Sequence, residues 1–275
     1  MSANDTVGPR VHNPVRVSCG PMPGISHTVL SIDLALTSYR DVGVAVVRSA
    51  ADGTIHARVV DVPLEGRPSV AAFVEWIESR CQIESIAGIA IDGPSAWRAP
   101  GGRSTSTSQH ARAAEAVLHT PGKTGLPPDG VKPSTYLGFT QLSVDLFAML
   151  AGRGWTFPHE LGAVPPRLLV ETFPTAAWRG LRLAPLPGKA KARRDVGTVP
   201  LWLERLSQRL PLHTVGVVTH DQLQAVVGGI APAWWMAGLA SRVALRGAPA
   251  FRSESHWYEG FIIVPDFDGN PRPGD

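Results

Sequence analysis

The run Val29 to Leu36 is largely apolar but is broken by one carboxylate, Asp33, and a second apolar run, Ile86 to Ile91, ends directly in Asp92-Gly93-Pro94. Short apolar runs bounded by turn residues read as buried strands, and a carboxylate set into one is costly unless it has a partner or a task. The neighbouring segments fit a sheet. Val42 to Arg48 and Thr54 to Val62 are β-rich, with Ser38, Arg40 and Asp41, then Asp52 and Gly53, as turn residues between the runs. Three strands joined in this way make an antiparallel meander. Behind Pro68, Ser69 to Arg80 places Val70, Phe73, Val74 and Ile77 at helical spacing. A meander followed by a helix and a buried strand predicts a mixed sheet with a helical layer.

From Ser95 to Pro133 the pattern lapses into Gly, Ser, Thr, Pro and basic residues around a short helical stretch, Gln109 to Leu118. Stretches of this kind in compact domains are commonly functional. Helical periodicity returns at Tyr136 to Leu150 and Val199 to Leu210, and Arg167 to Thr172 is a strand ending in Glu171-Thr172. Thr214 to Thr219 reads as a strand or loop, His220-Asp221 opens an apolar helix running to Leu239, and Gly260 to Val264 is a closing strand. The expected organisation is an arm over residues 1–28, one α/β domain over 29–265 and a tail over 266–275.

Composition excludes several classes. The 275 residues are 44% hydrophobic, enough for a sizeable core. Two cysteines, Cys19 and Cys81, are too few for a disulfide framework. With no apolar run of transmembrane length and no secretory pattern at the start, a cytoplasmic protein is expected. A net charge of +3 is a mild excess that permits an anionic partner without requiring one.

Four acids, Asp33, Asp92, Glu171 and Asp221, stand in or at the edge of otherwise apolar segments. Two carboxylates about 4 Å apart repel by roughly 4 kcal/mol at an effective dielectric near 20, so an ionised cluster calls for cations. Oxygen-only ligands favour Mg²⁺ or Mn²⁺. All four acids are therefore candidate catalytic residues and metal ligands, although Asp221 in a first helical turn also serves as a cap and Glu171 has Arg179 and Arg182 within reach. Candidate substrate contacts are Lys189, Lys191, Arg193 and Arg194, His220, and Arg103 within a Gly/Ser-rich tract; DNA or RNA is the expected partner. Trp178, Trp234 and Trp235 recur in helical patterns, which favours core over base stacking. Zinc-type His/Cys spacing and a Gly-x-Ser-x-Gly elbow are both missing.

Five motifs, in this order, resemble the family catalogued as domain of unknown function 429, described as predicted RNase H-like nucleases. They are Ser31-Ile32-Asp33-Leu34-Ala35, Ala90-Ile91-Asp92-Gly93-Pro94, Val170 to Trp178, His220-Asp221-Gln222-Leu223-Gln224-Ala225 and Glu259-Gly260-Phe261-Ile262-Ile263-Val264-Pro265. The resemblance implies an RNase H-like mixed five-stranded sheet, with helices on both faces and an insertion after the fourth strand. It places Asp33 on the central strand and Asp92 on its parallel neighbour, with Asp221 brought alongside by a late helix. The implied activity is metal-dependent hydrolysis of nucleic-acid phosphodiesters. Two departures stand out: Gln224 occupies a position where the family often has an acid, and Ser and Thr follow Arg103 in place of a Cys-Asp pair. The alternatives are a non-catalytic nucleic-acid or nucleotide scaffold on the same core, and an ATP-dependent phosphoryl transferase of the sugar-kinase class, against which stands the lack of a Gly-rich hairpin after Asp33.

Overall fold

The computed structural model describes residues 28–101, 109–127 and 130–266. Arg103 and nearly all of the expected arm and tail lie outside the described residues. The described chain runs β1 (Thr28–Asp33), β2 (Gly43–Ser49), β3 (Ile55–Val59), α1 (Val70–Ile83), β4 (Gly88–Asp92), α2 (Ala113–Leu118), α3 (Leu137–Gly152) and β5 (Leu168–Thr172). It continues as α4 (Pro174–Gly180), α5 (Lys189–Arg194), α6 (Thr198–Arg209), β6 (Leu212–Val215), α7 (His220–Met236), β7 (Val243–Ser253) and β8 (His256–Pro265).

All eight strands join one mixed sheet in the order β6-β3-β2-β1-β4-β5-β8-β7. The opening meander is antiparallel, whereas β1, β4 and β5 lie side by side and parallel. That central 3-2-1-4-5 order with its reversed second strand is the RNase H-like arrangement expected from the sequence. Three further strands widen it beyond five. β6 pairs parallel to β3, and β7 and β8 form a hairpin beside β5.

The sheet separates two apolar layers because successive side chains on a strand face opposite ways. Val29, Ala90 and Val170 pack towards α7, with Leu223, Val226, Ile230 and Trp234 in the same cluster. Leu30, Ile32, Ile89, Ile91 and Leu169 pack towards Phe73 and Ile77 of α1 and Leu146, Phe147 and Leu150 of α3. Burying one such side chain contributes about 1.5–3 kcal/mol, and α7, buried along almost its whole length, is the main support of the first layer.

Two close approaches fix where α7 begins. A Cβ on Gly43 would lie 2.0 Å from the Asp221 carbonyl oxygen, and one on Gly229 would lie 2.6 Å from a Val47 methyl. Only glycine at these points lets the helix rest directly on β1 and β2. The Thr219 hydroxyl accepts from the Gln222 N–H at 3.2 Å, and the Gln222 side chain accepts from the Thr219 N–H at 2.9 Å, a capping box that sets the first turn. His220 and Asp221 are thereby held over the end of β1.

Candidate metal centre

Asp33 is the last residue of β1 and is in register with Gly43 of β2 and Asp92 of β4. The two aspartates sit side by side at the carboxyl ends of parallel strands, on the α7 side of the sheet, each keeping a solvent-facing edge. From α7, Asp221 and His220 come down beside them: ligand atoms of Asp33, His220 and Asp221 all lie within 4.8 Å of one another. Burial, then the charges of Asp92 and Asp221, raise the Asp33 carboxyl well above the ordinary range. Burial pushes Asp92 up to about 7, with the Glu171 charge adding to it and the hydrogen bond from Asp33 opposing it. Two adjacent, partly dehydrated carboxylates resist ionising together.

His220 is oriented by its surroundings. Its Nε2 lies 3.1 Å from the Pro187 carbonyl oxygen, which only accepts, so that nitrogen carries the proton. Nδ1, 3.0 Å from Asp221 Oδ1, therefore faces the carboxylates. A ring tethered through one N–H to a backbone carbonyl, with its other nitrogen turned to a group of acids, is the usual setting of a metal-binding histidine.

Lys189 provides the positive charge at the cluster. Its ammonium bridges Asp221 and Asp41, 2.9 Å from Asp41 Oδ1, and Arg193 reaches the same oxygen at 3.0 Å. The Lys189 hydrogen bond is the main cause holding the Asp41 carboxyl below its usual range. The basic segment thus divides: half-buried Lys189 reaches Asp41 and Asp221 and exposed Arg193 reaches Asp41 alone, while Lys191 and Arg194 are exposed.

Glu171 is placed differently from the other three acids. Across the parallel pair its register partner is Ile91, whereas Thr172 is the partner of Asp92. Strand alternation therefore turns Glu171 to the opposite face of the sheet from Asp33 and Asp92. There its two oxygens accept from Arg112 at 2.7 and 2.8 Å, and one also accepts from the Ser95 N–H at 2.8 Å. Arg112 is 1% exposed and binds Glu115 through Nε at 3.1 Å. Glu259 completes the network, accepting from the Ala99 and Ala113 N–H groups at 3.0 and 2.9 Å. These bonds tie the segment after β4 to β5 and β8, so the ion pair gives Glu171 a structural task. Gln224 is also engaged, accepting from the Trp178 indole N–H at 2.8 Å.

Asp41, Arg112, Glu115 and Glu259 were not candidates from sequence. Asp41 looks like an ordinary turn residue, Arg112 and Glu115 fall within an irregular stretch, and Glu259 had a signal only in the closing Glu-Gly motif.

No protein-family model and no curated protein matches the chain. Among solved structures, RuvC of Thermus thermophilus aligns over 81% of this chain and 99% of its own at 13% identity, with a TM-score of 0.36. The yeast mitochondrial Holliday junction resolvase Ydc2 aligns over 80% of this chain and 81% of its own at 11% identity, with a TM-score of 0.40. Likenesses of this size carry no residue-level inference. Among the described residues no helix is long and apolar enough to cross a membrane.

The donor set fits a divalent cation. It combines carboxylate oxygens with one imidazole nitrogen, and ligands on one small ion span at most roughly 4 Å. The ligand atoms of Asp33, His220 and Asp221, all within 4.8 Å of one another, lie close to that span. The raised proton affinities of Asp33 and Asp92 mark a site whose negative charge is under-compensated by Lys189 alone.

Proposed function

We propose that the protein is a divalent-metal-dependent hydrolase of nucleic-acid phosphodiesters, with Asp33, Asp92, Asp221 and His220 as the ligand set and Mg²⁺ or Mn²⁺ as the ion. The observation that carries this reading is the in-register pair Asp33 and Asp92, met from above by Asp221 and His220 at the start of α7. Bound there, the ion supplies Lewis acidity to a phosphoryl oxygen and makes a water more acidic. The remaining work falls to the chain. The Pro187 carbonyl keeps the His220 ring turned inward, the capping box and Gly43 hold Asp221 over β1, and Lys189 presents an ammonium to a phosphate oxygen. Lys191, Arg193 and Arg194 extend a positive edge for flanking phosphates, a contribution that weakens as salt rises. Glu171 enters this reading as the anchor of the segment beyond β4.

The test is cleavage of labelled single-stranded, duplex and branched DNA and RNA in Mn²⁺ or EDTA. Metal-dependent cutting that Asp33→Asn abolishes supports the hydrolase. A properly folded wild type that cuts none of the substrates overturns it.

A second reading, a non-catalytic binding protein on the same core, is favoured by the Lys189 ammonium already bridging Asp41 and Asp221 and by the engagement of Gln224 with Trp178. Under this reading millimolar Mn²⁺ leaves the melting temperature unchanged, whereas under the first it raises it.

A further inference from the structure

The segment between β4 and α3 borders an open cavity of about 130 Å³ that Asp92 helps to line. Its lining includes the buried charged residues Arg112, Glu115 and Glu171, and Lys123 also faces it. Two cations, Arg112 and Lys123, stand against three carboxylates, Asp92, Glu115 and Glu171, so the lining carries no positive excess and offers a phosphate no net attraction. Phe139, Phe173 and the exposed Tyr136 supply aromatic surface, with the Tyr136 ring about 4 Å from where a Gly122 side chain would begin. An uncharged, flat occupant suits these walls.

Volume narrows the choice. A protein cavity of ~150 Å³ takes up one benzene ring, so this one holds a single six-membered ring and leaves a fused bicyclic ring partly outside. Lys123 adds a polar preference. Its ammonium has three donors, two of them used in long bonds to the Glu115 carbonyl at 3.3 Å and the Thr120 hydroxyl at 3.4 Å. Its partial burial, which lowers its basicity, leaves it short of compensation. A ring carbonyl is a fitting acceptor.

We propose that this cavity is a base pocket: it receives one pyrimidine of the bound strand, stacked on Tyr136 with a ring carbonyl accepting a hydrogen bond from the Lys123 ammonium, while the adjoining phosphate lies at the Asp33–Asp221 cluster. Asp92 lines the cavity and belongs to the cluster, so base and phosphate are neighbours on one strand. The inference rests on the nucleic-acid reading above and names the part of the substrate that reading leaves open. Reading an unstacked base between aromatic walls is a known way for enzymes to place the bond they act on.

The experiment separates the pocket from the chemistry by using nucleosides, which carry no phosphate, in EDTA. Cytidine, thymidine and adenosine are titrated into the full-length protein and followed by NMR chemical-shift changes. Cytidine or thymidine is expected to saturate in the millimolar range, adenosine to bind several-fold more weakly, and Tyr136→Ala to weaken the pyrimidine about tenfold. Lys123→Gln should reduce pyrimidine binding with an unchanged melting temperature, and Asp33→Asn should leave it intact. Absence of saturable binding, equal binding of adenosine, or unaltered binding by Tyr136→Ala overturns the pocket. Pyrimidine binding with no cleavage of any substrate retains the pocket and removes the hydrolase; cleavage with no nucleoside binding does the reverse.

Discussion

Replacing Arg112 with Met should destabilise the protein strongly, because the guanidinium is 1% exposed and holds two buried glutamates. Its Nη1 and Nη2 bind both oxygens of Glu171, at 2.8 and 2.7 Å, and its Nε binds Glu115. Burial alone works against the charge, and the two carboxylates overcome it, raising the guanidinium's basicity further. Methionine fills much of the volume but leaves Glu171 and Glu115 without their cation. Breaking a buried pair in this way costs about 3–5 kcal/mol, which in a domain of this size lowers the melting temperature by roughly 6–20 °C. Thermal unfolding of wild type, Arg112→Met, Glu171→Gln and the double variant forms a cycle, with an expected coupling of about 1–3 kcal/mol. Glu171→Gln should lower stability and leave Mn²⁺ affinity within about twofold, since Glu171 faces away from the cluster. Arg112→Met melting within about 2 °C of wild type, or Glu171→Gln losing Mn²⁺ affinity at unchanged stability, refutes this placement of Glu171.

Gly43→Ala puts a Cβ 2.0 Å from the Asp221 carbonyl oxygen; the first turn of α7 must shift, with an expected loss of about 1–3 kcal/mol in urea unfolding and at least tenfold weaker Mn²⁺ binding. In EDTA, stability should fall as pH rises from about 4 to 7. The folded-state pKa values of Asp33 and Asp92 lie above the ordinary value of 3.8, so the native state binds more protons in that window. The penalty is absent below the window and complete above it; melting curves should show it, and Asp33→Asn should flatten the profile. Gln224→Leu strands the Trp178 indole N–H and should cost about 1–3 kcal/mol, read by thermal unfolding, while leaving metal affinity unchanged.

Asp33 and Asp92 were legible because each interrupts or ends an apolar strand; the meander-helix-strand pattern gave the mixed sheet, and only the family resemblance implied that the two strands are parallel neighbours. His220 and Asp221 were legible as a helix start, and only the resemblance implied that Asp221 comes alongside Asp33; the residues by themselves did not show it, because that approach depends on Gly43 and Gly229 and only has meaning once β2 and α7 are in contact. Glu171 was misleading for a reason of parity. A strand-end acid beside two others looks like a third ligand, yet a shift of one residue turns a side chain to the other face, and register is a tertiary property. The long strand β7 was hidden by Gly247 and Pro249. The structure accommodates them at the sheet edge with a register shift between Ala248 and Phe251, where proline costs no central hydrogen bond. Lys189 was visible as part of a basic segment, whereas its selection over Lys191 for the acidic site depends on which side of the short helix α5 meets α7.

The most direct test of the account is anomalous diffraction from crystals of the protein grown with Mn²⁺. The account predicts a peak bonded to carboxylate oxygens of Asp33, Asp92 and Asp221 and to Nδ1 of His220, with the Lys189 ammonium withdrawn from Asp221 and no peak at Glu171. Full Mn²⁺ saturation without a peak between β1 and α7, or with Lys189 still seated on Asp221, contradicts it.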